Sequence, residues 1–92
     1  MIKHLNIKVM GRVQGVFYRA SAREKAMAIG LKGFVRNEPD GSVYAEAEGN
    51  EEQLNEWIAW CRQGPPRAAV SNLIVTESDP VGFVKFEIER GA

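Results

Sequence analysis

The stretch that decides the fold is Leu5-Asn6-Ile7-Lys8-Val9-Met10-Gly11-Arg12-Val13-Gln14-Gly15-Val16-Phe17-Tyr18-Arg19. Leu5, Ile7, Val9 and Val13 alternate with Asn6, Lys8 and Arg12, the period of a strand with one buried face, and the strand ends near Arg12. Further on the period changes: Ala22, Ala26 and Ile29 recur at helical spacing until Gly30 supplies a C-terminal stop. The residues from Val13 to Arg19 therefore form a loop that leads a strand into a helix.

Working outward, Leu31 to Asn37 is short, apolar and β-rich, and Glu38-Pro39-Asp40-Gly41 is a turn, because Pro fixes φ and Gly permits φ > 0. A strand follows at Ser42 to Glu48, with Val43, Ala45 and Ala47 inward and Tyr44, Glu46 and Glu48 outward, so the pair reads as a hairpin. Asn50 stands as an N-cap with Gln53 at N3, and Leu54, Trp57, Ile58 and Cys61 form the apolar stripe of a second helix that Gly64-Pro65-Pro66 ends. Val70 to Thr76 is the next strand, Ser78-Asp79-Pro80 a break, and Val84, Phe86 and Ile88 alternate in a last strand. The order βαββαβ plus a terminal β predicts an α+β, ferredoxin-like sandwich with an extra C-terminal strand. Its two helices pack on one face of a mostly antiparallel sheet. No linker or repeat interrupts it, so residues 1–92 read as one domain.

Composition closes several doors. One Cys and one His cannot assemble a disulfide framework, a zinc finger or a His-rich metal site, and the lone thiol suits a reducing cytosol. No basic segment followed by an apolar one opens the chain, and no uncharged run approaches the ~20 apolar residues of a membrane span. With 45% hydrophobic and 26% charged residues the composition is that of a folded protein, so a soluble cytoplasmic domain is expected. The zero net charge hides an asymmetry: residues 1–36 carry eight Lys/Arg against Glu24 alone, whereas residues 37–61 carry seven carboxylates and no Lys or Arg.

The loop is where chemistry fits. Between a strand end and a helix start, several backbone N–H groups lack partners and the helix dipole presents partial positive charge, which favours an anion. Gly15 can take the left-handed conformation that turns successive amides inward, and Arg19 adds a planar charged fork suited to phosphate oxygens. The same residues also fit a loop that needs Gly for its geometry and an Arg that is merely solvated. The segment is neither a P-loop, since no Gly-Lys-Ser/Thr follows, nor a dinucleotide fingerprint, since the three-glycine spacing is absent.

Two longer patterns bear on that choice. Val9-Met10-Gly11-Arg12-Val13-Gln14-Gly15-Val16-Phe17-Tyr18-Arg19 resembles the first signature of the acylphosphatase family. Gly33-Phe34-Val35-Arg36-Asn37-Glu38-Pro39-Asp40-Gly41-Ser42-Val43, closed by Gly49, resembles the second. The likeness continues through Ala26, Gly30, Gly64-Pro65 and Phe86-x-Ile88. Tyr18 stands where the family usually has Phe or Met, and its hydroxyl brings a donor that those side chains lack. The resemblance implies hydrolysis of the carboxyl–phosphate bond of acyl phosphates to a carboxylate and inorganic phosphate, without cofactor or metal. Arg19 would clamp the phosphoryl group with the loop amides of Gly15, Val16, Phe17, Tyr18 and Arg19 itself, and Asn37 would orient the attacking water. Such chemistry needs positioning and charge stabilisation more than a covalent partner. The implied partners are a small acyl phosphate and inorganic phosphate or a similar anion, with no nucleic acid and no membrane, and a monomer is expected.

Other residues are set aside. His4 falls on the polar face of the first strand and reads as a surface imidazole; Cys61 reads as a buried, inert thiol, Trp57 as core and Trp60 as partly exposed. Glu46, Glu48, Glu51, Glu52 and Glu56 lack cation-site spacing and read as a solvated acidic face. RNA-recognition domains share the βαββαβ order, and Lys32-Gly33-Phe34-Val35 mimics their central motif. That motif belongs on the third strand, however, where Glu46 and Glu48 would repel phosphates. A non-catalytic anion sensor is disfavoured by the presence of both Arg19 and Asn37.

Overall fold

The protein is described here from a computed structural model covering residues 1–90. The element order is β1 (Lys3–Arg12), α1 (Tyr18–Ile29), β2 (Lys32–Asn37), β3 (Val43–Gly49), α2 (Glu51–Gln63), β4 (Ala69–Ser78) and β5 (Phe86–Ile88). The strands form one five-stranded sheet in the order β4-β1-β3-β2-β5, antiparallel except where β2 pairs with β5. This is the ferredoxin-like sandwich expected from the element order.

Local chemistry sets the ends of both helices. Gly30 takes φ 100° and its N–H donates to Ala26 O and Met27 O, closing α1 in the left-handed conformation that glycine tolerates. Asn50 Oδ1 accepts from Gln53 N–H at 2.8 Å while Gln53 Oε1 accepts from Asn50 N–H at 2.9 Å, the reciprocal box foreseen at the start of α2. Gln53 Nε2 also donates to Ile29 O at 3.0 Å, joining the start of one helix to the end of the other. At the far end of α2, the Cys61 carbonyl cannot take its usual i+4 donor because Pro65 has no N–H. Tyr18 Oη donates to it instead at 2.8 Å.

The core lies between helices and sheet. Ile7, Val9, Val35, Val43 and Ala45 from the strands meet Ala22, Ala26, Leu54, Trp57 and Cys61 from the helices, all nearly or fully buried. Trp57 Nε1 finds Ala22 O at 3.0 Å, so the largest core residue buries no unpaired donor. Burial pushes the Cys61 thiol up to about 12, which leaves it inert as expected.

The opposite face of the sheet differs from expectation. Alternation assigned His4, Glu46 and Glu48 to solvent, yet His4 is 1% and Glu48 5% exposed. The connection between β4 and β5 crosses this face: the N–H groups of Val81, Gly82 and Phe83 donate to the Glu48 carboxylate at 2.6, 3.1 and 3.1 Å. The Phe83 ring stacks on His4 at 5.6 Å. His4 Nδ1 meets Glu48 Oε2 at 2.6 Å, and Nε2 meets Glu46 Oε1 at 2.8 Å and Asn6 Oδ1 at 3.1 Å. Burial disfavours a charged ring here, but the hydrogen bonds of Glu48, Glu46 and Asn6 and the charge of Glu46 outweigh it and raise the His4 pKa. Burial likewise opposes the Glu48 charge, and His4 with the three amides reverses the sign and lowers its pKa. The last strand is also shorter than read: Val84 is 83% exposed and pairing starts at Phe86, beyond a bond from Gly33 N–H to Lys85 O at 3.0 Å.

Candidate active site

Because β1 and β2 both run antiparallel to β3, and β5 runs parallel to β2, the C-terminal ends of β1, β2 and β5 share one rim of the sheet. The loop after β1 and the first turn of α1 rise from that rim. Topology thus brings together residues that sequence spacing leaves apart.

The loop is anchored at Val13 and Val16, which are 1% and 8% exposed. Gly15 at φ 73° and Phe17 at φ 66° flank Val16, both left-handed, and Phe17 is the one non-glycine residue with positive φ among the described residues. A side chain held there costs about 1–3 kcal/mol. The Phe17 ring is 72% exposed, so its own packing does not account for the conformation; left-handed residues on either side of Val16 are a backbone pattern that can turn successive amides to one side. Among the described residues, none of the N–H groups from Gly15 to Ala20 has a hydrogen-bond partner, and α1 has neither a capping side chain nor an acid in its first turn.

Those amides border a cleft of about 300 Å³ whose walls include Gly15, Phe17, Arg19, Asn37, Ile88 and Arg90. Arg19 comes from α1 and Asn37 from the end of β2, so the two residues expected to act together line the same cleft. Of the loop residues expected to bind phosphate, Gly15, Phe17, Tyr18 and Arg19 line it, whereas Val16 contributes as a buried anchor. Tyr18 turns its hydroxyl away to Cys61, and burial drives its pKa far above the ordinary value. Asn37 Oδ1 is buried without a hydrogen-bond partner. An orphaned buried acceptor on a residue that lines a cleft is costly unless a donor such as water or a ligand completes it.

A wider groove of about 750 Å³ adjoins the cleft and shares Arg19, Asn37 and Arg90 with it. Its Arg36 lies 3.5 Å from Glu38 and 3.3 Å from Glu89, and its guanidinium sits over the Tyr44 ring at 4.9 Å. A separate hollow of about 410 Å³ between α1 and β5 contains none of the expected site residues, and its Arg23 donates to Phe86 O at 3.1 Å.

Sequence reasoning missed Gln14. Its Nε2 donates to Glu38 O and Ser42 O, each at 2.8 Å, and so fastens the loop to the β2–β3 turn that follows Asn37. The turn is itself braced: Asp40 accepts from Ser42 N–H at 2.9 Å and pairs with Lys8 at 2.8 Å. The hydrogen bonds of Lys8 and Ser42 hold the Asp40 carboxyl well below the usual carboxylate range. A glutamine preceding a glycine gives no sign of this role in sequence; only the proximity of loop and turn reveals it.

The arrangement can seat a tetrahedral dianion against free amides and a guanidinium, with an acceptor beside it to orient a small donor. No carboxylate or imidazole lines the narrow cleft among the described residues.

The family model for acylphosphatase matches residues 5–88. The chain is 50% identical over 90 residues to an acylphosphatase of Methylococcus capsulatus, covering 97% of this chain and 98% of the relative. It is 50% identical over 86 residues to an acylphosphatase of Acaryochloris marina, covering 94% and 92%. The crystal structure of acylphosphatase from Bacillus subtilis superposes with a TM-score of 0.93 at 37% identity, covering 97% of this chain and 99% of that one. The chain belongs to the acylphosphatase family.

Proposed function

We propose that this chain, acting as one cytoplasmic domain and as a monomer, hydrolyses acyl phosphates by direct attack of water on the phosphoryl group. Arg19 and the amides of Gly15 to Arg19 hold the non-bridging oxygens, where charge must be stabilised as the bond to the acyl oxygen loosens. Asn37 accepts a hydrogen bond from the water and aims it at phosphorus. The new P–O bond forms from the water oxygen, the P–O bond to the acyl group breaks, and the electron pair leaves with the carboxylate. A guanidinium has no lone pair to take a proton and a side-chain amide is no base, so the water's proton passes to a phosphoryl oxygen of the substrate.

The observation that carries this reading is the convergence of Arg19, partnerless amides and an orphaned Asn37 acceptor on one small cleft. The test is hydrolysis of benzoyl phosphate in the presence of a chelator. The wild type turns over, Arg19→Ala loses binding and rate together, and Asn37→Ala loses about 10²–10³ in kcat with little change in KM. A wild type that leaves benzoyl phosphate intact refutes the reading. Proton transfer to substrate fails if replacing some titratable side chain abolishes turnover while phosphate still binds.

A further inference from the structure

Arg90 is the second guanidinium of the cleft, and its position follows from strand register. β2 and β5 pair with a constant offset, Gly33 with Phe86, Phe34 with Glu87 and Val35 with Ile88. Glu89 N–H extends the pairing by donating to Val35 O at 2.9 Å. Parallel partners share a face and successive residues alternate between faces. Phe86, 3% exposed, and Ile88 therefore face the helices, and Glu89 faces away to meet Arg36. The same alternation carried two residues past Ile88 brings Arg90 to the helix side at the level of Asn37, and both residues line the cleft and the groove.

Charge gives that position a meaning. Arg36 is held between Glu38 and Glu89, whereas Arg19 and Arg90 have no ion pair among the described residues. Two guanidinium groups thus border one small cleft that contains no carboxylate among the described residues, beside a loop whose amides have no hydrogen-bond partner. Their mutual repulsion is relieved by an anion, and two full positive charges match a dianionic phosphoryl group. One fork arrives from the helix layer and the other from the sheet layer, so together they can hold oxygens that neither reaches alone.

We propose that Arg90 binds the phosphoryl group jointly with Arg19, making the site a clamp of two arginines rather than one. This rests on the reading of the cleft as a phosphoryl site. Arg90 then also restrains the group next to Asn37, which fixes the line of attack for the water.

Calorimetric titration with inorganic phosphate tests the assignment without reference to turnover. Arg90→Ala should weaken phosphate binding at least about tenfold, the loss expected for charge-assisted hydrogen bonds, and Arg90→Lys should recover part of it. Arg62→Ala, which removes the same charge from the exposed last turn of α2, should stay within about twofold of wild type. A denaturation midpoint equal to wild type in Arg90→Gln, with binding still weakened, assigns the effect to contact and not to folding. Phosphate binding that survives Arg90→Ala within about twofold overturns the proposal, as does an equal loss in Arg62→Ala, which would reveal only a diffuse field. A wild type that binds phosphate through Arg90 yet leaves benzoyl phosphate intact sinks the hydrolytic reading and keeps this one. Hydrolysis with unchanged constants in Arg90→Ala does the reverse.

Discussion

Replacing Glu48 with alanine should destabilise the protein by about 3 kcal/mol near pH 6, and the size of the effect follows from what the carboxylate holds. Four hydrogen bonds converge on it, from His4 Nδ1 and Val81 N–H at 2.6 Å and from Gly82 and Phe83 N–H at 3.1 Å. Val81 and Gly82 are exposed and Phe83 is half-buried, so their amides regain water and together account for about 1 kcal/mol. The imidazole cannot do the same at 1% exposure: Nε2 keeps Glu46 and Asn6, but Nδ1 is left buried without its charged acceptor, which costs about 2 kcal/mol. For a chain of 92 residues, this lowers Tm by about 12–24 °C.

The effect carries a pH signature. A raised His4 pKa gives stability that is complete below the ordinary value of 6.5 and is lost as pH rises through the higher folded value. A lowered Glu48 pKa gives stability that is complete above 4.5 and is lost as pH falls through the lower folded value. The pair therefore contributes fully between those two ordinary values. Urea unfolding of wild type and Glu48→Ala at about pH 6 and about pH 9 should show the larger difference at the lower pH. A difference below about 1 kcal/mol, or one that is the same at both, refutes the reasoning.

Three further outcomes follow from other contacts. Gln14→Ala removes both bonds from the loop to the β2–β3 turn, and should lower stability by about 1–2 kcal/mol and kcat/KM on benzoyl phosphate by about tenfold, measured by unfolding and initial rates. Tyr18→Phe leaves the Cys61 carbonyl without its donor and should cost about 1–2 kcal/mol in urea unfolding while kcat changes less than about twofold, since the hydroxyl points away from the cleft. Gly33→Ala drives a Cβ into the Glu46 carbonyl at φ 152° and should lower stability by about 3 kcal/mol or more, visible as a fall in Tm.

Features set by neighbours in sequence were legible there. The capping box of Asn50 and Gln53, the left-handed Gly30 and the β2–β3 turn each depend on a few adjacent residues, so their chemistry is written locally. His4 and Glu48 were misread because alternation tells which face of a strand a residue takes, not whether another segment covers that face. The cover comes from residues 81–83, more than thirty positions beyond Glu48. Arg19 and the glycine of the loop stood out by residue type, and Asn37 through the family signature. That they border one cleft depends on the sheet order, which puts the ends of β1 and β2 on one rim with β3 between them. Arg90 carries no local mark at all, since its place depends on counting register from Gly33 and Phe86.

The parallel pairing of β5 with β2 has a consequence for the order in which the protein comes into being. A ribosome delivers Arg19 and Asn37 well before Phe86, and domains take shape as their segments emerge. Until β5 arrives, the outer edge of β2 has no neighbour, and the wall that Ile88 and Arg90 give to the cleft does not exist. A nascent chain that has already built its helices and four strands is still without the complete cleft. Phosphate binding during refolding would thus report the docking of the final strand, and would lag behind the formation of helices seen by circular dichroism.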